Sequence, residues 1–349
     1  MKTTGKFLLF ISLVLFVSCS SDDNGGDDNG NENTSSINNP LVDIGKQLLV
    51  SVGETGSRLS YKYDEKLRPY YCSLEHSSGK QKYVFTIDYD KGTILVGEWE
   101  KSGDWSISFT KNGYIDRIKG SGEYTEDNNI YSRSIDLLCS YDNDGHLLGV
   151  DIVDEYYGDP KESGKDTRKV TLVWNNGNLA SIENNSVWQE EDGSVSTSVW
   201  TRNFEYGDQP NKYRQYIGYL SCDGNDSPFF AAGLMGIGSE RLPTSVVDVD
   251  KDEWNGHISE HKSVENATFT LNDNGSINTE TWANEYGSID RYIYSYTPVT
   301  SYTRSAFPIE SNWCSNCKTT SSMTKADPIR SLLSILPFVS KINRKVNQK

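Results

Sequence analysis

Short runs of alternating apolar and polar residues dominate the chain from Leu59 onward. These runs are rich in Tyr, Val, Ile, Thr and Trp, and polar turns that end in Gly separate them. Alternation with a period of two is typical of a strand with one buried face, and Asn-Gly or Asp-Gly between two such runs is typical of a β-hairpin. The clearest hairpin units are residues 87–95, 108–118, 140–152, 172–182 and 269–279.

These hairpins predict an all-β fold with one or two short helices. The turn glycines at positions 92, 113, 145 and 177 are 21, 32 and 32 residues apart, a loose period that indicates repeated hairpins. We expect an antiparallel meander that forms a strongly curved sheet or a barrel-like domain. Helical periodicity is clearest in residues 40–49 and 228–234. A transmembrane barrel is not expected, because the strands place Lys, Asp and Glu on the face that would meet lipid.

The N-terminal residues predict export. Lys2 and Lys6 precede an apolar run at residues 7–17, which is too short to span a bilayer but suits a signal peptide. The run ends in Phe16-Val17-Ser18-Cys19, which resembles the lipobox of bacterial lipoproteins. Residues 1–18 are therefore the predicted signal peptide and Cys19 the predicted lipidation site. An ordinary secretory peptide with a chance Cys is the alternative.

A flexible acidic tether is predicted at residues 19–39, because this stretch is rich in Gly, Ser, Asn and Asp. The acidic pair at positions 22 and 23 resembles the signal that sends Bacteroidota-type lipoproteins to the outer leaflet of the outer membrane. We therefore expect a lipid-anchored protein of the cell envelope, exposed at the surface. A periplasm-facing anchor stays open as the alternative.

Charge divides the chain into segments of different character. The 349 residues carry a formal charge of −15, distributed as +2 over residues 1–18, −5 over 19–39, −18 over 40–297 and +6 over 298–349. The acidic balance argues against a nucleic-acid partner, since phosphate recognition needs an excess of Lys and Arg. We predict a β-rich domain at 40–297. A basic, poorly ordered tail follows at 298–349, with a short helix near 328–336 that starts at Asp327-Pro328.

Two motifs carry a resemblance. Residues 141–147, YDNDGHL, resemble the Tyr-Asp repeat of bacterial cell-surface proteins. Hairpins of this kind occur together with residues 233–246, GLMGIGSERLPTSV, an apolar segment of small residues that runs into Leu-Pro-Thr. Together they are similar to a family of gut-bacterial lipoprotein domains of unknown function with a porin-like fold, over about residues 55–297. The resemblance implies architecture and location, and it implies no chemistry.

Candidate metal ligands occur in one region. His257 and His261 fit the pattern H-x-x-E-H of inverted zinc peptidases, whose mechanism requires a helix, whereas the flanking residues favour a loop or a strand edge. Asp248, Asp250 and Asp252 alternate as in a calcium loop, but the turn Gly and the bidentate Glu of that loop are missing. An acidic loop is the default interpretation, and no cofactor is predicted.

Aromatic residues supply the remaining candidates. Tryptophans on a curved sheet either fill the core or line a wet concavity where sugar rings stack, and the candidates for stacking are Trp99, Trp105, Trp174, Trp188 and Trp200. Cys72, Cys139 and Cys222 allow one disulfide or three free thiols. Neither a G-x-S-x-G motif nor a phosphate loop is present.

The sequence therefore favours a non-catalytic ligand-binding module of the cell surface, with a glycan as one candidate ligand. A hydrolase that uses zinc or a carboxylate pair is one alternative. An envelope scaffold with an outer-membrane transporter as partner is the other. The ligand, the oligomeric state and the disulfide state are left open by the sequence.

Overall fold

A computed structural model describes residues 37–53, 57–76, 81–96, 104–126, 129–157, 163–216, 228–254 and 257–301. Cys19, Trp99, Cys222 and the predicted signal peptide, as well as the predicted helix near 328–336, lie outside these residues.

Sixteen strands are found in the described residues. The first eight are β1 Gln47–Gly53, β2 Ser57–Tyr63, β3 Pro69–His76, β4 Gln81–Asp88, β5 Thr93–Val96, β6 Asp104–Phe109, β7 Ile115–Glu126 and β8 Asn129–Tyr141. The second eight are β9 Leu147–Tyr157, β10 Gly164–Asn175, β11 Asn178–Glu190, β12 Val195–Pro210, β13 Arg241–Trp254, β14 His257–Leu271, β15 Ile277–Asn284 and β16 Ile289–Pro298.

The strands form one closed antiparallel barrel. Each strand pairs with its neighbours in sequence, and β1 pairs with β16 to close the sheet, with Gln47 opposite Pro298 and Gly53 opposite Ile293. The predicted all-β antiparallel meander is therefore confirmed. Of the two predicted shapes, a strongly curved sheet or a barrel, the chain forms a barrel. Closure leaves no unpaired edge among the described strands, which protects the sheet from edge-to-edge association.

All five predicted hairpins are present, and their turns lie at the same end of the barrel, which we call the turn end. They connect β4 to β5, β6 to β7, β8 to β9, β10 to β11 and β14 to β15. The glycine of each turn has a positive φ, for example +80° at Gly113 and +93° at Gly145. Glycine adopts this backbone conformation without a steric penalty, which explains the Asn-Gly and Asp-Gly signals. The opposite end is called the far end.

Both predicted helical stretches are shorter than their periodicity suggested. Helix α1 covers only Pro40–Asp43, and α2 covers only Pro228–Ala231. The prediction of helix up to residue 49 is wrong, because Lys46 takes a φ of +51° and the apolar residues that follow enter β1 and pair with β16. In the second stretch Gly233, with a φ of +74°, lies two residues after the end of the helix.

The turn end is closed by the connection between β12 and β13. We call its described residues, 211–216 and 228–240, the cap. The cap reaches strands around the whole circumference: the Tyr61 hydroxyl donates to the Pro228 carbonyl (3.0 Å), the Ile115 N–H to Leu234 (2.8 Å), and the Ile237 N–H to Gly145 (3.0 Å). Phe229 is completely buried, with its ring centroid 4.7 Å from that of Phe85. The cap therefore forms much of the apolar core at this end.

The wall of the barrel separates a filled interior from a polar exterior. Along β10 the burial alternates strictly, and Lys165, Thr167, Lys169 and Thr171 all point outward and are exposed. Outward-facing ion pairs join neighbouring strands, for example Lys165 with Glu155 (3.0 Å) and Lys251 with Glu260 (3.3 Å). These charges lie where a membrane barrel carries an apolar band about 25 Å tall. Separately, neither of the helices in the described part of the chain has the length and apolar character needed to cross a bilayer.

Candidate functional site

An accessible stretch of the inner wall lies near the far end, on β11–β14. The register places Trp188 opposite Ser196, Asp252 opposite Ser198 and Ser259, and Asp250 opposite His261. All of these side chains are on the inward side of the wall, which Trp200 and Arg202 also face. These side chains are half-buried or exposed, whereas inward side chains of β8–β10 are mostly buried. We call this set the accessible wall: Trp188, Ser196, Ser198, Asp250, Asp252, Ser259 and His261.

Strand length accompanies this difference in exposure. Strands β1–β6 have 4 to 8 residues, whereas β7–β14 have 11 to 16. The accessible wall is thus carried by the longest strands of the barrel.

Among the described residues, three arginine–aspartate pairs are buried inside the barrel wall. Arg133 pairs with Asp154 through Nε (2.7 Å) and Nη2 (2.5 Å), and Arg202 pairs with Asp248 through Nε (2.7 Å) and Nη2 (2.6 Å). In the third pair both Arg168 Nε (2.6 Å) and Nη2 donate to Asp166 Oδ2, and Ser186 Oγ donates to Asp166 Oδ1 (2.9 Å). Each of the six side chains is at most 7% exposed. Bidentate pairing offsets the desolvation of these charges.

Two polar atoms beside the third pair have no hydrogen-bond partner. They are Nη1 of Arg168 and Oδ1 of Asn184, both buried, on the neighbouring strands β10 and β11. Arg168 lies opposite Ser186, and Asn184 is two residues further along β11, so the two side chains are diagonal neighbours on the inner wall. A buried donor or acceptor without a partner costs about 1–3 kcal/mol. One atom is a donor and the other an acceptor, and a hydroxyl group can serve either kind.

The three alternating aspartates are strand residues and do not form a calcium loop. Asp248, Asp250 and Asp252 all face inward from β13, and Asp248 is committed to the buried pair with Arg202. His261 lies opposite Asp250 on β14, a register that places side chains about 5 Å apart at Cβ. His257 and His261 are both in strand β14, so the helix that the zinc-peptidase mechanism requires is not found there.

The tryptophan candidates occupy different environments. Trp105 and Trp200 are buried, at 6% and 5% exposure, so a ligand could stack on them only inside the barrel. Trp174 is half-buried at the turn end, where its Nε1 donates to the Leu147 carbonyl (2.8 Å) and its ring packs on His146. Trp188 is half-buried on the accessible wall, and its indole lies over Gly164. Of the described candidates, Trp188 is placed best to meet a ligand at the far end.

One acidic and histidine cluster was not singled out from the sequence. In the described residues Asp142, Asp144 and His146 place their ligand atoms within 4.8 Å of one another. However, His146 Nδ1 is 2.7 Å from Asp142 Oδ2, and His146 Nε2 is 3.4 Å from Arg214 Nη2. The guanidinium group opposes a cation at this position.

The hydrogen bonds of the β8–β9 turn give this cluster a structural explanation. Asp142 Oδ1 accepts the N–H groups of Asp144 and His146, at 3.0 and 2.8 Å. Asn284 accepts the N–H groups two and four residues later in the same way, and so does Asp64. Burial favours the neutral form of Asp142, but the hydrogen bonds from His146 and Asp144 outweigh it and hold the pKa of the Asp142 carboxyl below its usual range. The cluster joins the turn to the cap.

The two described cysteines, Cys72 and Cys139, are both buried in the core. Burial raises the pKa of the Cys139 thiol to about 12, so the reactive thiolate is essentially absent near neutral pH.

The buried arginines are the site residues that sequence reasoning missed. Arg133, Arg168 and Arg202 each occupy an inward position of a strand that also directs apolar residues inward, such as Ile135, Val170 and Trp200. A charged residue that interrupts the apolar phase of a strand is the signal that could have identified them.

The comparisons with known proteins add a structural similarity and no family. The chain is similar to a solved structure described as a porin-like protein from Bacteroides uniformis ATCC 8492, with a TM-score of 0.43 and 10% sequence identity. The similarity covers 75% of this chain and 99% of that one. No protein-family model matches the chain, and no curated protein matches it. The family suggested by residues 141–147 and 233–246 is therefore unconfirmed.

Proposed function

We propose that this protein is a lipid-anchored cell-envelope protein whose barrel binds a neutral ligand, with a glycan as the favoured class, at the accessible wall and without catalysis. The observation that carries this proposal is the wall itself. It presents an indole ring, Trp188, together with hydroxyl and carboxylate side chains on a part of the interior that solvent reaches. An aromatic face with polar groups around it suits the apolar face and the hydroxyl groups of a sugar.

Charge narrows the ligand class. Asp250 and Asp252 lie on the accessible wall, and residues 40–297 carry a formal charge of −18. Anionic ligands are therefore disfavoured at long range, whereas neutral and cationic ligands are not.

The location is supported by the sequence. The apolar run at residues 7–17 and Cys19 predict a lipid anchor.

The ligand proposal is tested by calorimetric titration of the purified barrel with a panel of neutral, acidic and basic oligosaccharides. We expect saturable binding to neutral members and at least about tenfold weaker binding by a Trp188→Ala variant, equivalent to about 1.4 kcal/mol. Trp174→Ala is the matched control, since Trp174 is also half-buried but lies at the turn end. Absence of binding across the whole panel refutes the glycan proposal. Co-purification with an outer-membrane transporter in its place would favour the scaffold alternative.

The anchor has a separate test. A Cys19→Ser variant expressed in a bacterium with lipoprotein processing should leave the membrane fraction, whereas a Cys72→Ser variant should stay there. Membrane retention of Cys19→Ser would contradict lipid anchoring at this residue.

A further inference from the structure

The inner wall of β10–β12 contains polar groups that the barrel itself does not satisfy. Arg168 uses Nε and Nη2 on Asp166, which leaves Nη1 without a partner, and Asn184 Oδ1 is unpaired on the adjacent strand. Both residues are less than 7% exposed. Arg133 and Arg202 bind both oxygens of their aspartates, whereas both described bonds of Arg168 go to a single oxygen.

On one side, the two unpaired atoms lie next to residues of the accessible wall. Trp188 lies directly opposite Asp166, and Ser198 lies directly opposite Ser186, the residue that faces Arg168. Both Trp188 and Ser198 belong to the half-buried accessible wall. Trp188 and Ser198 therefore form the boundary between solvent and the unpaired groups.

We propose that Trp188, Arg168 and Asn184 form a subsite for one ring of a neutral sugar. The apolar face of the ring packs on the Trp188 indole, and its hydroxyl groups reach inward. A hydroxyl accepts a hydrogen bond from Arg168 Nη1 and donates one to Asn184 Oδ1. This inference rests on the proposed function and names the residues that give it specificity.

The chemistry of the wall selects the hydroxyl group over an anion. A carboxylate or phosphate could accept from Arg168 but could not donate to Asn184. It would also approach Asp166, whose charge already neutralises Arg168, and Asp154, which lies opposite Asp166 across β9 and β10. A hydroxyl adds no charge and serves the donor and the acceptor alike.

Binding must shift a boundary side chain, because both unpaired atoms are covered in the described structure. Trp188 packs against Gly164, where a Cβ atom would lie 2.8 Å from the indole, so the glycine leaves room for the ring beside β10. A change of Trp188 rotamer opens the path to Arg168. We therefore expect sugar binding to change tryptophan fluorescence.

The test combines binding with stability, using the neutral oligosaccharide that binds best in the panel and its constituent monosaccharide as probes. Asn184→Leu keeps the branching at Cγ and removes a buried unpaired acceptor, so it should leave the Tm unchanged or raise it. The same change should weaken sugar binding by at least about fivefold. Trp188→Ala should weaken binding further and abolish the fluorescence change. Trp174→Ala, at the turn end, should alter neither.

The outcomes separate the two proposals. Wild-type binding that Trp188→Ala weakens and Asn184→Leu leaves unaffected refutes this subsite and leaves the proposed function standing. Failure of the wild-type protein to bind any sugar refutes the proposed function and this inference with it. A fall in Tm together with weaker binding in Asn184→Leu would show that Asn184 supports the wall structurally, which also contradicts the subsite.

Discussion

The two ends of the barrel differ in the side chains that line their interior. The turn end is apolar and closed: Phe229 and Leu234 of the cap are completely buried, and hairpin turns hydrogen-bond to the cap backbone. Toward the far end the inner wall carries carboxyl, imidazole and hydroxyl side chains, of which Asp250 and His261 are at least partly accessible. The comparison teaches that the barrel concentrates apolar packing at one end, which leaves the other end free to present polar groups.

The largest effect is expected from the cap. Phe229→Ala removes a fully buried ring that packs on Phe85, and it should lower the free energy of unfolding by about 3–5 kcal/mol. Denaturant titration followed by circular dichroism measures the change. The control at the other end is Tyr286→Ala, since Tyr286 is 75% exposed in a far-end turn, and it should change stability by less than about 0.5 kcal/mol. Equal effects of the two changes would contradict the division of roles.

A smaller loss is expected from the buried ion pairs. Arg202→Met leaves the Asp248 carboxylate buried without its bidentate partner, which should cost about 3 kcal/mol. The double variant Arg202→Met with Asp248→Leu should regain most of that loss, because it removes both charges. Lys251→Ala breaks an exposed pair with Glu260 and should cost less than about 1 kcal/mol. If the double variant were as unstable as the single one, the pairs would not act through charge burial.

The smallest effect is expected at the link between the β8–β9 turn and the cap. Asp142→Asn keeps an acceptor for the backbone N–H groups but loses the carboxylate that contacts His146 Nδ1, and it should cost about 0.5–1.5 kcal/mol at pH 7.

This loss should depend on pH. The pKa of Asp142 is held below the ordinary value of 3.8, so its contribution is present above that pH and is lost as pH falls through the lower folded-state value. Thermal unfolding at pH 7 and at about pH 3 should therefore show a smaller difference between wild type and variant at the lower pH. The far-end control is Asp192→Asn, which has no contact with the cap. A difference that grows toward low pH would contradict the assignment.

The features that could be predicted from the sequence are those that depend on local backbone conformation. The glycines at positions 92, 113, 145, 177 and 275 mark turns that require positive φ, and all five hairpins were correct. The helical period of residues 40–49 failed because pairing of Leu48 and Leu49 with β16, nearly 250 residues away, outweighs local periodicity.

The polar interior depends on information that a single strand does not carry. Arg168 and Asp166 are two residues apart and could equally be solvated surface charges, and only closure of the sheet makes their face the inside. The same holds for Asp248, whose alternation with Asp250 suggested a cation loop although its partner, Arg202, is 46 residues away. Register across strands decides both cases.

The seam between β1 and β16 also has a mechanical consequence. β1 hydrogen-bonds to β16 on one side and to β2 on the other, and residues 37–46 lead into it at the turn end. A pull on this segment along the strand direction loads both ladders in shear, so the bonds must break together and cannot open one by one. The strand that closes the barrel is thus also suited to bear a force applied through residues 37–46.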